Sequence, residues 1–374
     1  MRTPWVIILP PVLPYFTIIR LVIYIHATVL RDLIVSLGTQ CWFRSRSSTM
    51  KATCRMHHLR SQRPAYSLLL LFAALLHPLP GLAAAVPDEL VVADQKGQQR
   101  AVMEAAGVEQ DLPFRIRWVE FEAASPLLQA LGAGAVDTGI AGDGPFFFAW
   151  GVGIPVKAAY LIPPRGGGHT TAIVVAPGSA ITSPAQLSGK RIATGRGSIG
   201  HLLLLRLIAT GAIPSPAPQI IFLQPAQAKA ALDTGRVDAW STWEPYVALE
   251  TVGHNGHIVA DAANLTPNNS FFVATTTALA EKRQLLATFY QRVALAYAWG
   301  QAHQAQYAHI LAQQTGLPED VAVSVARQLI AAPVPISDAV EQAEHITLDT
   351  YRSAGLINPS APLSEAFDKD ILKP

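Results

Sequence analysis

Cysteine is nearly absent from this chain of 374 residues, which contains only Cys41 and Cys54. Both precede Ala85, where we expect an export signal to be cleaved, so the mature protein has no disulfide, cysteine metal site or thiol nucleophile. The mature chain also lacks a G-x-S-x-G elbow, a Walker loop and an H-E-x-x-H sequence. His254 and His257 have no pattern of further ligands around them, so we expect neither a metal site nor a cofactor.

An excess of positive charge is missing from the mature chain as well. Residues 1–85 hold nine of the 28 Lys and Arg residues but only one of the 26 Asp and Glu residues. Residues 86–374 therefore carry a net charge of −6, and the formal charge of +2 for the whole chain comes from the leader. This distribution removes the main support for a nucleic-acid partner.

A long uninterrupted apolar run is the third feature that the sequence lacks. The stretch from Val6 to Leu30 contains three prolines and an arginine, which makes it a poor membrane helix. The nine residues Leu68–Leu76 are too few to span a bilayer. Arg60 and Arg63 precede this core and Ala83-Ala84-Ala85 follows it, as in a secretory signal peptide.

We therefore expect residues 1–85 to be a leader that is not part of the mature protein. Within it, residues from about 50 to 85 form the signal peptide, with cleavage near Ala85 and export to the periplasm. Residues 1–49 are more than a signal peptide needs, so we expect translation to start at Met50 or Met56.

The most informative feature that is present is an internal repeat. The pattern A-L-x-x-G-x-V-D occupies residues 130–137 and again residues 231–238, 101 residues later. Each copy reads as the end of a helix, a glycine cap and a strand. An acid follows six residues after each copy, and a proline stands close behind it. A second match pairs Lys96-Gly97 with Arg196-Gly197, each between a predicted strand and a predicted helix.

Alternating strands and helices predict an α/β fold of two lobes, with mostly parallel sheets and right-handed crossovers. We expect lobe I to contain residues 86–172 and 275–374, and lobe II to contain residues 173–274. Thr170–Ala176 and Phe271–Thr276 would be the strands that connect the lobes. The chain after these strands is predicted to be helical, in the segments Ala278–Gln314, Pro318–Ala331 and Ser337–Ala354.

Four junctions between a loop and a helix are predicted to face the cleft between the lobes. A helix N-terminus presents free N–H groups and a partial positive charge, so it binds anions without a charged side chain. We expect a small organic anion as the ligand, with aromatic side chains lining the rest of the pocket. The candidate ligand-binding residues are Gln95, Lys96, Gly97, Gly142, Asp143, Gly144, Arg196, Gly197, Ser198, His201, Trp240, Trp243 and Glu244.

The same residues also have ordinary structural interpretations. The two acids fit helix caps, the two basic residues fit a solvated surface, and the tryptophans fit a hydrophobic core. His201 fits a buried, hydrogen-bonded histidine. The two walls also differ, because Gly144 follows the first acid and Trp243 precedes the second. We expect the first wall to be small and open, the second to be bulky, and ligand selectivity to depend on this asymmetry.

Six motifs stand in order within residues 90–355, namely Gln95-Lys96-Gly97, Gly142-Asp143-Gly144-Pro145, Gly189-Lys190-Arg191-Ile192-Ala193, Gly197-Ser198 with His201, Val237-Asp238-Ala239-Trp240 and Trp243-Glu244-Pro245-Tyr246. Together they resemble the periplasmic substrate-binding proteins of ABC importers for aliphatic sulfonates, taurine and nitrate. This resemblance implies a type II periplasmic binding protein, with two α/β lobes, two hinge strands and a ligand cleft between them. It also implies capture of a sulfonate for sulfur acquisition, an inner-membrane permease with its ATPase as partner, and action as a monomer.

Departures from the family pattern leave the ligand open. Glu244 stands where Asp is usual, Tyr246 where Phe is usual, and Gly144 where Thr is frequent. Taurine, nitrate and a thiamine pyrimidine precursor therefore remain alternatives to an alkanesulfonate. The fold also includes a desulfinase with a nucleophilic cysteine, which the mature chain lacks. A cysteine-independent desulfonating enzyme would depend on His201 as its base.

We predict that the exported protein begins near Val86, because the small residues Ala83-Ala84-Ala85 form the cleavage site. N-terminal sequencing and the intact mass of the protein purified from the periplasm test this. A mature protein that retains residues 1–49 contradicts the proposed start as well as the cleavage site.

Overall fold

The computed structural model describes residues 88–164, 168–329 and 331–373. The predicted start sites, signal peptide and cleavage near Ala85 lie outside these residues and stay predictions.

Strands and helices alternate through most of the described chain. The strands are β1 (Glu89–Gln95), β2 (Arg115–Phe121), β3 (Thr138–Gly142), β4 (Val156–Ile162), β5 (Thr171–Val175), β6 (Arg191–Thr194), β7 (Gln219–Phe222), β8 (Ala239–Trp243), β9 (His257–Asp261) and β10 (Ser270–Thr275). The helices are α1 (Gln98–Ala105), α2 (Ala124–Gly132), α3 (Asp143–Gly151), α4 (Ile199–Ala209), α5 (Pro225–Asp233), α6 (Tyr246–Ala248), α7 (Thr276–Glu281), α8 (Arg283–Ala302), α9 (Gln304–Thr315), α10 (Glu319–Leu329) and α11 (Asp338–Ser353).

Two five-stranded sheets of the same layout form the framework. The first has the order β2-β1-β3-β10-β4 and the second has the order β7-β6-β8-β5-β9. In each sheet the first three strands are parallel, and the fourth runs antiparallel to both of its neighbours. The sheets are therefore mixed, and the two-lobe α/β fold that the repeat predicted is confirmed.

The repeated octapeptide has the same structural role in both sheets. Gly134 and Gly235 adopt positive φ angles of 68° and 65°, which an L-residue with a side chain rarely adopts. The aspartate that ends each copy accepts a backbone N–H from the start of the neighbouring strand. Asp137 Oδ2 lies 2.7 Å from the Val91 nitrogen, and Asp238 Oδ2 lies 2.8 Å from the Arg191 nitrogen. The motif thus sets strand register rather than contacting the cleft.

Both faces of each sheet are covered. Along β1, Leu90 and Val92 pack among the C-terminal helices, while Val91 and Ala93 pack on the opposite face with α2 and α3. Along β5, alternate residues likewise enter two different hydrophobic clusters. This alternation follows from the two-residue period of a strand. The rigid layers place the strand ends, and the loops that follow them, around one space.

The chain crosses between the sheets twice. It leaves the first sheet at Ile162 and enters the second at Thr171, and it returns between Asp261 and Ser270. β5 lies wholly in the second sheet and β10 wholly in the first, so the described parts of the crossing segments are 163–164 with 168–170, and 262–269, rather than these strands. The exact limits of the two lobes stay a prediction.

The predicted helix Ala278–Gln314 is three helices, α7, α8 and α9. The backbone leaves the helical region at Lys282, with φ −121° and ψ 23°, and at His303, with φ −124° and ψ 44°. The turn at Lys282 brings its Nζ within 2.8 Å of Asp137 Oδ2 and 3.0 Å of the Glu89 carbonyl oxygen. Neither Lys282 nor His303 is a residue that breaks helices by its own propensity. At Lys282, the contacts with Asp137 and Glu89 override that local propensity.

We predict that Gly139→Ala lowers the free energy of unfolding by about 1–3 kcal/mol, because overpacking strains a filled interior. A Cβ at Gly139 would lie 2.8 Å from the Ala93 carbonyl oxygen and 3.1 Å from Leu127 Cδ2. Urea denaturation measures the loss. Gly253→Ala is the control, since its Cβ would meet nothing nearer than Val321 Cγ2 at 3.5 Å. Equal stability of the two variants would contradict the prediction.

Candidate functional site

A cavity of about 540 Å³ opens where the carboxyl ends of strands from both sheets face each other. Such strand ends are the usual ligand-binding edge of α/β sheets. Seven of the thirteen predicted residues line it, namely Gln95, Lys96, Gly142, Arg196, Ser198, Trp243 and Glu244. The other six are not among the lining residues, namely Gly97, Asp143, Gly144, Gly197, His201 and Trp240.

The loop after β6 is held in place by α4. Ser198 caps this helix, because its Oγ accepts the His201 backbone N–H at 3.1 Å. Gly197 has a φ of 69°, and its N–H donates to His201 Nδ1 at 3.1 Å. The Tyr351 hydroxyl lies within 3.2 Å of the Gly197 carbonyl oxygen and 3.0 Å of the Ser198 carbonyl oxygen. The loop is therefore fixed before any ligand arrives.

His201 supports this loop and does not face the cavity. Its side chain is buried against the Phe222 ring, with centroids 5.0 Å apart. Burial, together with the charge of Arg196, lowers the pKa of His201 to about 4. The imidazole is therefore neutral at physiological pH, and its Nδ1 accepts the Gly197 N–H. The structural interpretation of His201 is the one that this geometry fits.

Arg196 and Lys96 are the two basic residues of the cavity lining. The Arg196 guanidinium carbon lies 4.0 Å from the centroid of the Phe222 ring, a cation–π arrangement. Among the described residues, neither Arg196 nor Lys96 forms an ion pair with a carboxylate. Both charges are thus available to an anion that enters the cavity.

The corresponding loop of the first sheet has a different electrostatic character. Asp94, which was not among the candidates, accepts the N–H groups of Gln99 at 3.0 Å and Arg100 at 2.9 Å. Its carboxyl group therefore occupies the N-terminus of α1, and burial raises its pKa to about 7. Lys96 and Gly97 both adopt positive φ angles, 56° and 71°. Gly97 and Gly197 share a positive φ, whereas Arg196 does not share that of Lys96, and α1 is already capped by an acid.

Gln95 and Gly142 line the first-sheet wall of the cavity, and both are held there by the structure of the first sheet. Gln95 Nε2 donates to the Ile140 carbonyl oxygen at 2.8 Å, which fixes its amide against the sheet. β3 runs to Gly142 and α3 begins at the next residue, so the predicted junction contains no loop residue between the strand and the helix. This part of the first-sheet wall is therefore formed by the strand end and the helix start alone.

Asp143 is wholly buried and belongs to a network behind the cavity. Its carboxyl oxygens accept the N–H groups of Gly144 at 2.6 Å and Asn269 at 3.1 Å. Asn269 Nδ2 donates to Glu344 Oε1 at 2.8 Å, and Thr347 donates to the other Glu344 oxygen. Burial raises the pKa of both carboxyl groups, and that of Glu344 rises further because Asp143 is close by. Asp143 thus ties α3 to the second crossing segment.

The two crossing segments are joined by the Asn268 side chain. Thr171 Oγ1 donates to Asn268 Oδ1 at 2.9 Å, and Asn268 Nδ2 donates to Thr170 Oγ1 at 2.8 Å. All three residues line the cavity, together with Asn269. The sequence did not indicate that these side chains meet, because the bonded residues are polar residues 97 and 98 positions apart.

The two walls differ at the acid–proline junctions, although not as expected. A Cβ on Gly144 would lie 3.0 Å from Ile199 Cα, so this wall is closed by α4 rather than open. On the other wall, Trp243 lines the cavity and packs edge-on against Tyr246. Trp240 is buried in the core beside Tyr246, with ring centroids 5.4 Å apart. Trp240 is thus a core residue in this structure.

The two carboxyl oxygens of Glu244 have different surroundings. Its Oε2 accepts the Ala248 N–H at 3.1 Å, whereas Oε1 has no hydrogen-bond partner among the described residues. Burial raises its pKa to about 7. The expected helix after this junction is only the short turn α6, followed by a π-helical turn, Leu249–Gly253.

Glu122 connects the two walls across the cavity. Its Oε1 accepts the Ala226 N–H at the start of α5 at 2.9 Å, and its carbonyl oxygen accepts the Tyr246 hydroxyl at 3.1 Å. Glu122 follows β2, while both partners belong to the second-sheet side. The structure therefore has the two halves in direct contact beside the cavity.

Comparison with known proteins identifies the family. Residues 116–307, just over half of the chain, match the family described as NMT1/THI5 like. The chain belongs to this family. A protein of Escherichia coli (strain K12) named as an aliphatic sulfonates-binding protein is 33% identical over 250 residues, which cover 65% of this chain and 76% of that protein.

Solved structures agree with this membership of the NMT1/THI5-like family. The alkanesulfonate-binding protein SsuA from Xanthomonas axonopodis pv. citri, bound to MOPS, has a TM-score of 0.70 and 30% identity, over 76% of this chain and 99% of that one. The periplasmic aliphatic sulphonate binding protein SsuA from Escherichia coli has a TM-score of 0.63 and 28% identity, over 75% and 92%. The fold is therefore that of the periplasmic binding proteins.

None of the helices in the described part of the chain is both long enough and apolar enough to cross a membrane. No three or more His, Cys, Asp or Glu side chains in that part of the chain are grouped so that they could hold a metal ion.

We predict that Glu344→Gln becomes more stable relative to the wild type as the pH rises from 5 to 8. A carboxyl group whose pKa is raised by folding keeps its proton where the unfolded chain has lost it. Its contribution to stability is therefore greatest below the ordinary value of 4.5 and is lost toward the higher folded pKa. The expected change is about 1–3 kcal/mol, within the limit of about 1.4 kcal/mol per pH unit.

Urea denaturation at pH 5 and pH 8 measures this difference. The glutamine keeps an acceptor for Asn269 and a polar group for Thr347, so the fold should persist. Glu281→Gln, at an exposed position, is the control and should shift stability equally at both pH values. A pH-independent difference between Glu344→Gln and the wild type would show that Glu344 is ionised in the folded protein.

Proposed function

We propose that this chain is the periplasmic substrate-binding component of an ABC importer and that it captures an aliphatic sulfonate for sulfur acquisition. The observation that supports this most directly is a cavity between two α/β halves whose two basic residues have no carboxylate partner in the described part of the chain. Membership of a family with sulfonate-binding relatives adds to it. We further propose export with cleavage near Ala85 and delivery as a monomer to an inner-membrane permease with its ATPase.

The anion would bind on the second-sheet side. Arg196 supplies a charge at the cavity wall, and Ser198 supplies a hydroxyl group. Ile199, the first residue of α4, also lines the cavity, and its N–H has no carbonyl partner within the helix. A sulfonate carries one charge over three acceptor oxygens, which suits a guanidinium, a hydroxyl and a helix N-terminus together.

The remainder of the ligand would contact apolar side chains. Phe148, Phe222, Leu223 and Trp243 line the cavity beside these groups. Burying a short alkyl chain there gains hydrophobic free energy of about 0.8 kcal/mol per CH₂ group. Nitrate has no such chain, and therefore fits this cavity less well than an alkanesulfonate.

We also propose that the protein is not an enzyme. The mature chain has no cysteine to act as a nucleophile. His201, the base that a cysteine-independent mechanism requires, lies outside the cavity lining and uses Nδ1 to accept the Gly197 N–H. A low pKa also leaves it a weak base.

We predict low-micromolar binding of an alkanesulfonate, and a loss of about 10- to 100-fold in affinity for Arg196→Met. The loss corresponds to one charge-assisted hydrogen bond of about 1.5–3 kcal/mol. Isothermal titration with butane-1-sulfonate, taurine, nitrate, sulfate and a pyrimidine measures both. Arg236→Met, which removes an exposed arginine outside the cavity, is the control and should bind as the wild type does. Tight binding of nitrate or the pyrimidine without any sulfonate would move the assignment to another ligand.

A further inference from the structure

Gln99 has a buried amide group with an unused donor. The side chain is 3% exposed, and its Oε1 accepts the Tyr297 hydroxyl at 2.9 Å. Its Nε2 has no hydrogen-bond partner among the described residues. An amide nitrogen carries two N–H donors, and buried donors in proteins are nearly always paired. Gln99 and Tyr297 both line the cavity, so a group within the cavity is the partner that this amide lacks.

Two further polar groups line the cavity on the same side as this amide. Tyr307 lines the cavity and is 2% exposed, and its hydroxyl makes no hydrogen bond to a described residue. Asp94 also lines the cavity, and its oxygens accept the N–H groups of Gln99 and Arg100. Each carboxylate oxygen can accept a second hydrogen bond. This side of the cavity therefore offers donors from Gln99 and Tyr307, and an acceptor from Asp94.

The donors and the acceptor on this side of the cavity determine which end group of a ligand binds there. A terminal methyl group would leave the donors unpaired. A second anionic group would find one cation, Lys96, on this side, but it would also meet the carboxyl groups of Asp94, Glu122 and Glu244, which all line the same cavity. An ammonium group would suit those carboxyl groups but would offer no acceptor to Gln99 Nε2. A hydroxyl group accepts and donates at once, and it carries no charge.

We propose that Gln99, Tyr307 and Asp94 form a second polar subsite, which binds a neutral hydroxyl group at the end of the ligand away from its anion. The preferred ligands are then hydroxyalkanesulfonates, an inference that rests on the proposed function for the sulfonate end. The subsite lies on the first-sheet side of the cavity, whereas Arg196 and Ser198 lie on the second-sheet side. A volume of about 540 Å³ exceeds the need of a two-carbon sulfonate and leaves room for a chain that reaches both.

Titration with ligand pairs of matched size tests the subsite. The pairs are 3-hydroxypropane-1-sulfonate with butane-1-sulfonate, and 4-hydroxybutane-1-sulfonate with pentane-1-sulfonate. In at least one pair the wild type should bind the hydroxyl member about tenfold or more tightly, because a site built for a hydroxyl group rejects the analogue that lacks it. The amine 3-aminopropane-1-sulfonate separates hydroxyl recognition from attraction to carboxylates.

Tyr307→Phe removes a hydroxyl group that pairs with nothing described in the chain, so the fold should be retained. It should reduce the hydroxyl preference about fivefold or more and leave the affinity for the alkyl member unchanged. Gln99→Leu removes the donor and adds no charge, although it also removes the acceptor for Tyr297, and it should reduce the preference in the same way. Tyr290→Phe is the control, because its buried hydroxyl bonds Thr138 outside the cavity lining.

The outcomes are distinct. A preference for the hydroxyl members that falls in both subsite variants and persists in Tyr290→Phe supports the subsite. Sulfonate binding without that preference, or with tighter binding of the amine, overturns the subsite and leaves the proposed function in place. Failure of every sulfonate to bind, with another anion bound instead, overturns the proposed function and the subsite with it.

Discussion

The close approach of α3 and α4 is the constraint on which the cavity depends. A side chain at Gly144 would meet the backbone of Ile199 at 3.0 Å, and one at Gly197 would meet the Phe148 ring at 2.5 Å. Only glycine lets the two helix N-termini come this close. The Tyr351 hydroxyl then bonds the Gly197 and Ser198 carbonyl oxygens and fixes the contact from a C-terminal helix. Residues of both halves therefore surround one small space.

The two halves share their topology but differ in how their helix N-termini are used. Asp94 fills the N-terminus of α1 with a carboxyl group, and Asp143 does the same for α3. At α4 the cap is the neutral hydroxyl of Ser198, and the nearby Arg196 has no acidic partner among the described residues. The second-sheet side thus offers an anion a guanidinium beside a neutral cap, whereas on the first-sheet side the ammonium group of Lys96 lies next to helices that are capped by acids. The repeat places helix N-termini of both halves at the cavity. The side chain that caps each helix determines whether that N-terminus carries an acid or a neutral hydroxyl group.

Local patterns predicted the fold well, because strand and helix periods and glycine caps are set by neighbouring residues. The predicted helices Pro318–Ala331 and Ser337–Ala354 are α10 and α11, within two residues at each end, and the repeat correctly indicated two halves of the same topology. Local patterns indicated less of the site. Tyr297 and Tyr307 lie within the predicted helical segment Ala278–Gln314, and nothing local links them to Gln99, about 200 positions earlier. Trp240, predicted at the cavity, lies in the core beneath it, because its side chain points to the face of β8 that packs against α5 and Tyr246.

The crossing segments constrain how the two halves can move. Asn268 bonds Thr170 and Thr171, so the two segments are tied to each other. Asn269 bonds Asp143 and Glu344, which ties the second segment to the first-sheet half. A rotation that preserves these bonds keeps the floor of the cavity intact and changes the distance between its walls. A ligand that contacts both walls stabilises their approach, whereas one that contacts a single wall has no such differential effect. If the proposed subsite binds the ligand, the polar groups on the first-sheet side contribute to closure as well as to selectivity.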